Sequence, residues 1–213
     1  KYMTGLNKSD LILIGARPAM GKTSFALNIA RNIAVKAKKK VVFFSLEMGR
    51  EQLAQRVLST EARVESQKMR TGELTDDDWS RIGQATLALN DAELYFDDTS
   101  TITVPEMKAR VRKMRDVDCV IIDYLQLMTG TKRTESRVQE VSEITRSLKL
   151  MAKDLKIPVI TCSQLSRSTE GRGKSHKPQL SDLRESGSIE QDADIVLMLY
   201  RESYYDEDKN ENV

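Results

Sequence analysis

The chain has 213 residues, 39% of them apolar and 31% charged, with a formal net charge of +2. That length suits one α/β domain with a full core rather than two, and the near-neutral balance confines any nucleic-acid surface to a local patch. No apolar run approaches the roughly eighteen residues a membrane helix needs, and a lone histidine, His176, cannot build a metal site by itself.

Residues 1–10 are a polar lead-in with Gly5 and Asn7. Residues 11–14, LILI, read as a buried strand, and residues 24–33 carry helical periodicity with Phe25, Ile29 and Ile33 on one face. Between them lies ARPAMGKT, made of Ala16, Arg17, Pro18, Ala19, Met20, Gly21, Lys22 and Thr23, with Ser24 opening the helix. This fits the phosphate-binding loop, except that Ala16 holds the first position and the glycine lies one residue earlier, at Gly15. Gly21 lets the backbone wrap a phosphate so that successive N–H groups point inward at a helix start. Lys22 is then placed for the β- and γ-phosphates and the Thr23 hydroxyl for magnesium. Strand, loop and helix in this order predict a nucleoside triphosphate site.

The lysines of residues 36–40 suit a solvated helix end. A second strand covers residues 41–45, followed by Glu47, and amphipathic helices follow over 50–60 and from Thr75 to about residue 89, the latter with three acids in its first turn. A short strand at 94–96 precedes Thr103-Val-Pro-Glu106, spaced as a capping box for a helix to about residue 114. Residues 118–123, DCVIID, are another buried strand. Residues 136–155 form a long amphipathic helix with Ser136 and Gln139 at capping-box spacing, residues 158–162 a strand running into Gln164, and residues 195–200 the last strand. Residues 165–180 form a basic loop, and residues 201–213, polar and acidic, receive no structure. Strands alternate with helices and no repeat is present, so the expected architecture is an α/β fold with a mostly parallel central sheet and helices on both faces. Cys119 and Cys162 lie in the strands and are read as reduced core residues of a cytoplasmic protein.

Asp123 ends a hydrophobic strand, where a parallel sheet faces its nucleotide crevice, and an acid there can hold magnesium through its water shell. Asp116 and Asp118 precede that strand and belong to its other end. Glu47 occupies the equivalent place on a neighbouring strand; it can activate a water or merely serve a helix dipole. Gln164 can report on a γ-phosphate or simply end a strand. Arg167, Arg172, Lys174 and Lys177 lie in a loop without aromatics, so they fit phosphate contact rather than base stacking, or plain solvation.

Together these residues resemble the motor domain of the hexameric replicative DNA helicases, the DnaB family, within the RecA-like P-loop ATPases. The pieces that carry the resemblance are GARPAMGKTSFALNIA, FSLEM, IIDYLQLM, SQLSR and, most diagnostic, SDLRESGSIEQDAD at residues 181–194. It implies ATP and Mg2+ as cofactors, Glu47 as catalytic base and Gln164 as γ-phosphate sensor. It also implies Arg184, Glu185 and Gly187 on the DNA backbone, and the Gln164 strand between those of Lys22 and Asp123. A homo-hexamer with single-stranded DNA in its channel follows from the same resemblance, with primase and a helicase loader as partners.

The resemblance also places an arginine finger on a strand after residues 200–202, and a primase-binding domain with a linker helix before the motor. The expectation is one RecA-like domain over 1–213, a piece lacking both, with poor turnover by itself and its own oligomeric state left open. A RecA-type recombination or repair ATPase and a nucleotide-gated, loader-like binding module are the rival readings. The recombinase is expected to lack SDLRESGSIEQDAD, and the loader would bind ATP and a partner without translocating. A small-molecule kinase would need an acceptor pocket and a lid, and no segment offers either.

Overall fold

A computed structural model of the chain describes residues 5–130, 136–165, 177–186 and 189–204. Among the described residues, six strands alternate with helices: β1 Leu11–Ala16, α1 Lys22–Arg31, β2 Val41–Ser45, α2 Arg50–Ala62, α3 Ser66–Thr71, α4 Asp76–Asn90, β3 Leu94–Asp97, α5 Val104–Met114, β4 Cys119–Asp123, α6 Arg137–Leu155, β5 Val159–Gln164, α7 Ile189–Asp192 and β6 Ile195–Leu199. They form one sheet in the order β3-β2-β4-β5-β1-β6, and every pairing is parallel. β5 therefore lies between the Lys22 and Asp123 strands, as the resemblance implies.

The inner strands β1, β2, β4 and β5 are continuous apolar runs because both of their faces are covered, and the two-residue period divides each run between two cores. Leu11, Leu13, Val42, Phe44, Val120, Ile122 and Val159 pack with α5 and α6 through Met107, Val111, Ile144 and Leu148. Ile12, Ile14, Val41, Phe43, Cys119, Ile121, Ile160 and Cys162 pack with α1 and α2 through Ala26, Leu27, Ala30 and Leu53. The same parity carries Asp123 and Gln164 to the α1 side of the sheet. Both cysteines are buried and free; burial foremost, helped by Asp118, pushes the Cys119 thiol up to about 12, and burial raises Cys162 well above its ordinary value.

Several local expectations are corrected. The buried residues of α1 are Ala26, Leu27 and Ala30, continued by Ala34 in the turn that follows; Phe25 is exposed, while Ile29 and Ile33 are partly buried against the same core. α1 also starts earlier, at Lys22, and closes in a π-helical turn at Asn32–Lys36. The short helix α3 is not among the expected elements, because it buries no residue and so leaves no apolar period to read; Gly72 ends it at φ 79°. Ser136 does stand at the N-cap of α6, but its side chain makes no capping bond. The capping boxes at Thr75–Asp78 and Thr103–Glu106 do form. The expected last strand stops at Leu199, and a 3-10 turn, Glu202–Tyr204, follows it. Among the described residues no helix is long and apolar enough to cross a membrane.

Candidate functional site

The loop between β1 and α1 is shaped by two left-handed residues, Ala19 at φ 63° and Gly21 at φ 84°. Gly21 caps α1, its carbonyl accepting from the Phe25 N–H at 2.9 Å. A Cβ on Gly21 would meet nothing within 4 Å, so the glycine is needed for its φ rather than for space. Gly15 is needed for the opposite reason. A Cβ there would lie 2.9 Å from Met198 Sδ and 3.2 Å from Leu165 Cδ2. The displaced glycine of the loop pattern thus serves packing inside β1, and Ala16 is still a strand residue, paired with Gln164 and Leu199.

At the carboxyl ends of β1 and β4 three side chains meet. The Thr23 hydroxyl donates to Asp123 Oδ2 at 2.5 Å, and Lys22 Nζ stands 3.7 Å from Asp123 Oδ1 and 3.8 Å from the centre of the Tyr124 ring. Asp123 is 0% exposed, so Thr23 and Lys22 are its contacts at the rim of the cleft. Its Oδ1 has no hydrogen-bond partner among the described residues. The donors here are hard oxygens, a hydroxyl and a carboxylate with one oxygen to spare, which fits magnesium. No cluster of three His, Cys, Asp or Glu side chains gathers among the described residues, so a metal here would be shared with phosphate oxygens and water. Asp118, by contrast, lies at the other end of β4, where it accepts from the Lys40 N–H and pairs with Lys39.

Glu47 and Gln164 join this group across the sheet. Ser45 pairs in register with Asp123, which puts Glu47 just beyond it, and Ala16 pairs with Gln164. A cleft of about 300 Å³ is lined by Ala16, Arg17, Pro18, Ala19, Gly21, Lys22, Thr23 and Ser24 of the loop, and by Glu47, Arg56 and Gln164. Burial, then the charges of Glu47 and Asp123, push the Tyr124 hydroxyl above its ordinary value, so Glu47 acts on the same space. Sequence reading missed Arg56 and Tyr124. Arg56 reaches the cleft from the second turn of α2, and no spacing rule marks it; Tyr124 directly follows the metal-candidate acid, which was the available signal. A larger hollow of about 600 Å³ between α1, α2 and α3 adjoins the cleft but is lined by neither Lys22 nor Asp123.

Of the DNA candidates, Arg184 and Glu185 fall in a 3-10 segment, Leu180–Ser186. Gly187, Arg167, Arg172 and Lys174, with His176, lie outside the described residues. Lys177 is exposed. The segment rests on the core through buried Leu183, and Asp182 Oδ2 accepts from the Gln179 N–H at 2.7 Å.

A family model described as the DnaB-like helicase C-terminal domain matches residues 1–213. The chain belongs to that family. This DnaB-like domain is 50% identical over 218 aligned positions to a replicative DNA helicase DnaB of Geobacillus stearothermophilus, an alignment covering 100% of the chain and 48% of the relative. It thus spans about half the length of the curated relatives it matches. A solved structure described as an ATPase domain superposes with a TM-score of 0.92 at 37% identity, covering 97% of this chain and 74% of that one. A DnaB-like replicative helicase, solved in a study of its interactions with primase, gives the same TM-score and identity, covering 98% and 51%. At these identities the DnaB-like domain shares its RecA-like fold with both.

Proposed function

We propose that this chain is the ATP-hydrolysing motor domain of a replicative DNA helicase. The observation that carries this reading is that Lys22 and Thr23 line one cleft with Glu47 and Gln164 and both reach the buried carboxylate of Asp123. The loop N–H groups and Lys22 would hold the β- and γ-phosphates of ATP, and Thr23 and Asp123 would hold Mg2+. The ion, when bound, neutralises charge on the phosphate oxygens. Glu47 orients and deprotonates the attacking water, Gln164 senses the γ-phosphate, and Arg56 adds a cation to the cleft.

The family match along residues 1–213 favours a helicase over a recombination ATPase or a loader. Single-stranded DNA is the polymer this motor moves along, gripped by Arg184, Glu185 and Gly187, with Arg167, Arg172 and Lys174 as weaker contacts. A ring of six copies is its working form, and primase and a helicase loader are its protein partners. Supporting this are the replicative helicases it resembles and the relative studied with primase.

Calorimetric titration with Mg-ATP tests the core of the reading. Lys22→Ala should weaken binding by about tenfold to a hundredfold with unchanged thermal unfolding, as loss of a charged phosphate contact requires. Glu47→Gln should bind ATP normally and lose turnover in the assembled helicase. Wild-type ATP affinity in Lys22→Ala would sink the assignment of the cleft.

A further inference from the structure

The β4–β5 ladder runs from Val120↔Val159 to Ile122↔Thr161 and stops, whereas β1 follows β5 as far as Ala16↔Gln164. In a parallel ladder successive residues bond alternately to the two sides. The Leu165 N–H bonds to Ala16 on the β1 side, so the N–H and C=O of Gln164 turn toward the side that β4 has left. Although Gln164 itself is exposed, its N–H and C=O still need partners, from water or from protein. The side chain of Gln126 takes the place of the absent strand residue. Its Oε1 accepts from the Gln164 N–H at 3.1 Å, and its Nε2 donates to the Gln164 carbonyl at 3.0 Å and to Ser163 Oγ at 2.8 Å.

Gln126 is itself fastened. Its main-chain carbonyl accepts from Arg137 Nη2 at 2.7 Å, and the same nitrogen donates to the Met128 carbonyl at 3.0 Å. Arg137, in the first turn of α6, pairs with Glu140, whose Oε1 accepts from the Gly130 N–H at 2.8 Å. Residues 126–130 are therefore stapled to the start of α6. That helix packs against α7 and the Leu180–Ser186 segment.

We propose that Gln126 is a positioning residue: its side-chain amide sets the place of Gln164 in the cleft and ties it, through Arg137, to the start of α6. The proposal rests on the reading of Gln164 as the γ-phosphate sensor. A shift of Gln164 toward or away from a γ-phosphate drags the amide, and the amide drags the segment that Arg137 and Glu140 hold. Gln126 touches no substrate; it acts through the backbone of Gln164.

The experiment uses this chain, fluorescent ADP and ATPγS competition, and thermal unfolding, with Gln126→Ala, Gln126→Met, Gln164→Ala and the Gln126→Met/Gln164→Ala double variant. Gln126→Met keeps the side-chain length without the hydrogen bonds. Both Gln126 variants should bind ADP as the wild type does, while the preference for ATPγS over ADP drops about fivefold, the worth of one lost hydrogen bond. Gln164→Ala should lose the same preference, and the double variant should lose no more, because both act by one route. The proposal is overturned if Gln126→Met keeps the wild-type preference, if it loses ADP and ATPγS affinity equally, or if both Gln126 variants unfold. Gln164→Ala with the wild-type preference overturns the sensor reading and this proposal with it. An effect of Gln164→Ala without one from Gln126 overturns this proposal alone.

Discussion

Asp123 illustrates how much a single position can say in advance. A carboxylate ending the run Cys119-Val-Ile-Ile is conspicuous because nothing apolar about the strand requires it, and the two-residue period already assigns it a face. Its partners Lys22 and Thr23 were legible from loop spacing. Arg56 was not, because it reaches the cleft from another helix and its place depends on how α2 packs, which no local pattern encodes. Gly15 was legible as a departure from the loop pattern but not as a packing residue, since its reason lies in Met198 and Leu165, far along the chain. That reason is testable. Gly15→Ala should lower stability by about 1 kcal/mol, because the methyl group must displace Met198 Sδ and crowd Leu165. Met198→Ala in the same protein should recover part of the loss, so that the double variant is more stable than the sum of the singles in denaturant melts. Strict additivity would mean that the close approach carries no cost.

At the scale of elements, the strands and long helices were legible because their apolar periods are strong, the helix start at Thr75 because acids fill its first turn, and that at Thr103 because its capping partner lies three residues away. The short helix α3, the buried face of α1 and the bare cap of α6 were not, since exposure, residue size and side-chain rotation leave no period. The docking of β6 beside β1 also went unread, because its clasp joins distant residues. Asp194 Oδ2 accepts from the Leu11 N–H at 2.7 Å and pairs with Lys149, while the Asp194 N–H donates to the Leu11 carbonyl at 2.9 Å. Burial alone would raise the Asp194 carboxyl, but Lys149 and the Leu11 N–H outweigh it and hold the group below its ordinary value. A lowered value in the folded state means the clasp stabilises fully above the unfolded pKa and is lost as pH falls through the folded one, that is, below about pH 4. Asp194→Asn should therefore cost about 1 kcal/mol at pH 7, a modest figure because the pair is partly exposed. The gap between variant and wild type should close in acid. A gap that stays constant from pH 7 to pH 3 in urea melts would show that the carboxylate charge contributes nothing to the clasp.

The whole molecule carries its two proposed tasks on different segments of the chain. The cleft opens at the carboxyl ends of the parallel strands, where the loop, Glu47 and Gln164 converge beside the buried Asp123 and Arg56 joins from α2. The chain then leaves β5 at that end and returns to enter β6 at the opposite one. The Leu180–Ser186 segment lies on this crossing, fixed by buried Leu183 and by Asp182 on the Gln179 N–H. This segment carries Arg184, which the proposed function places on DNA. In a ring of six, contacts that are weak singly become strong by multiplicity. A motor that must pass every sequence should grip phosphates and read no bases, so the prediction concerns charge alone. In the assembled helicase, Arg184→Ala should weaken single-stranded DNA binding about equally for all sequences and flatten its salt dependence, with ATP affinity unchanged and unwinding lost. If affinity and salt slope both keep their wild-type values, the DNA contact belongs instead to the basic residues of 167–177, and Arg184 serves the fold alone.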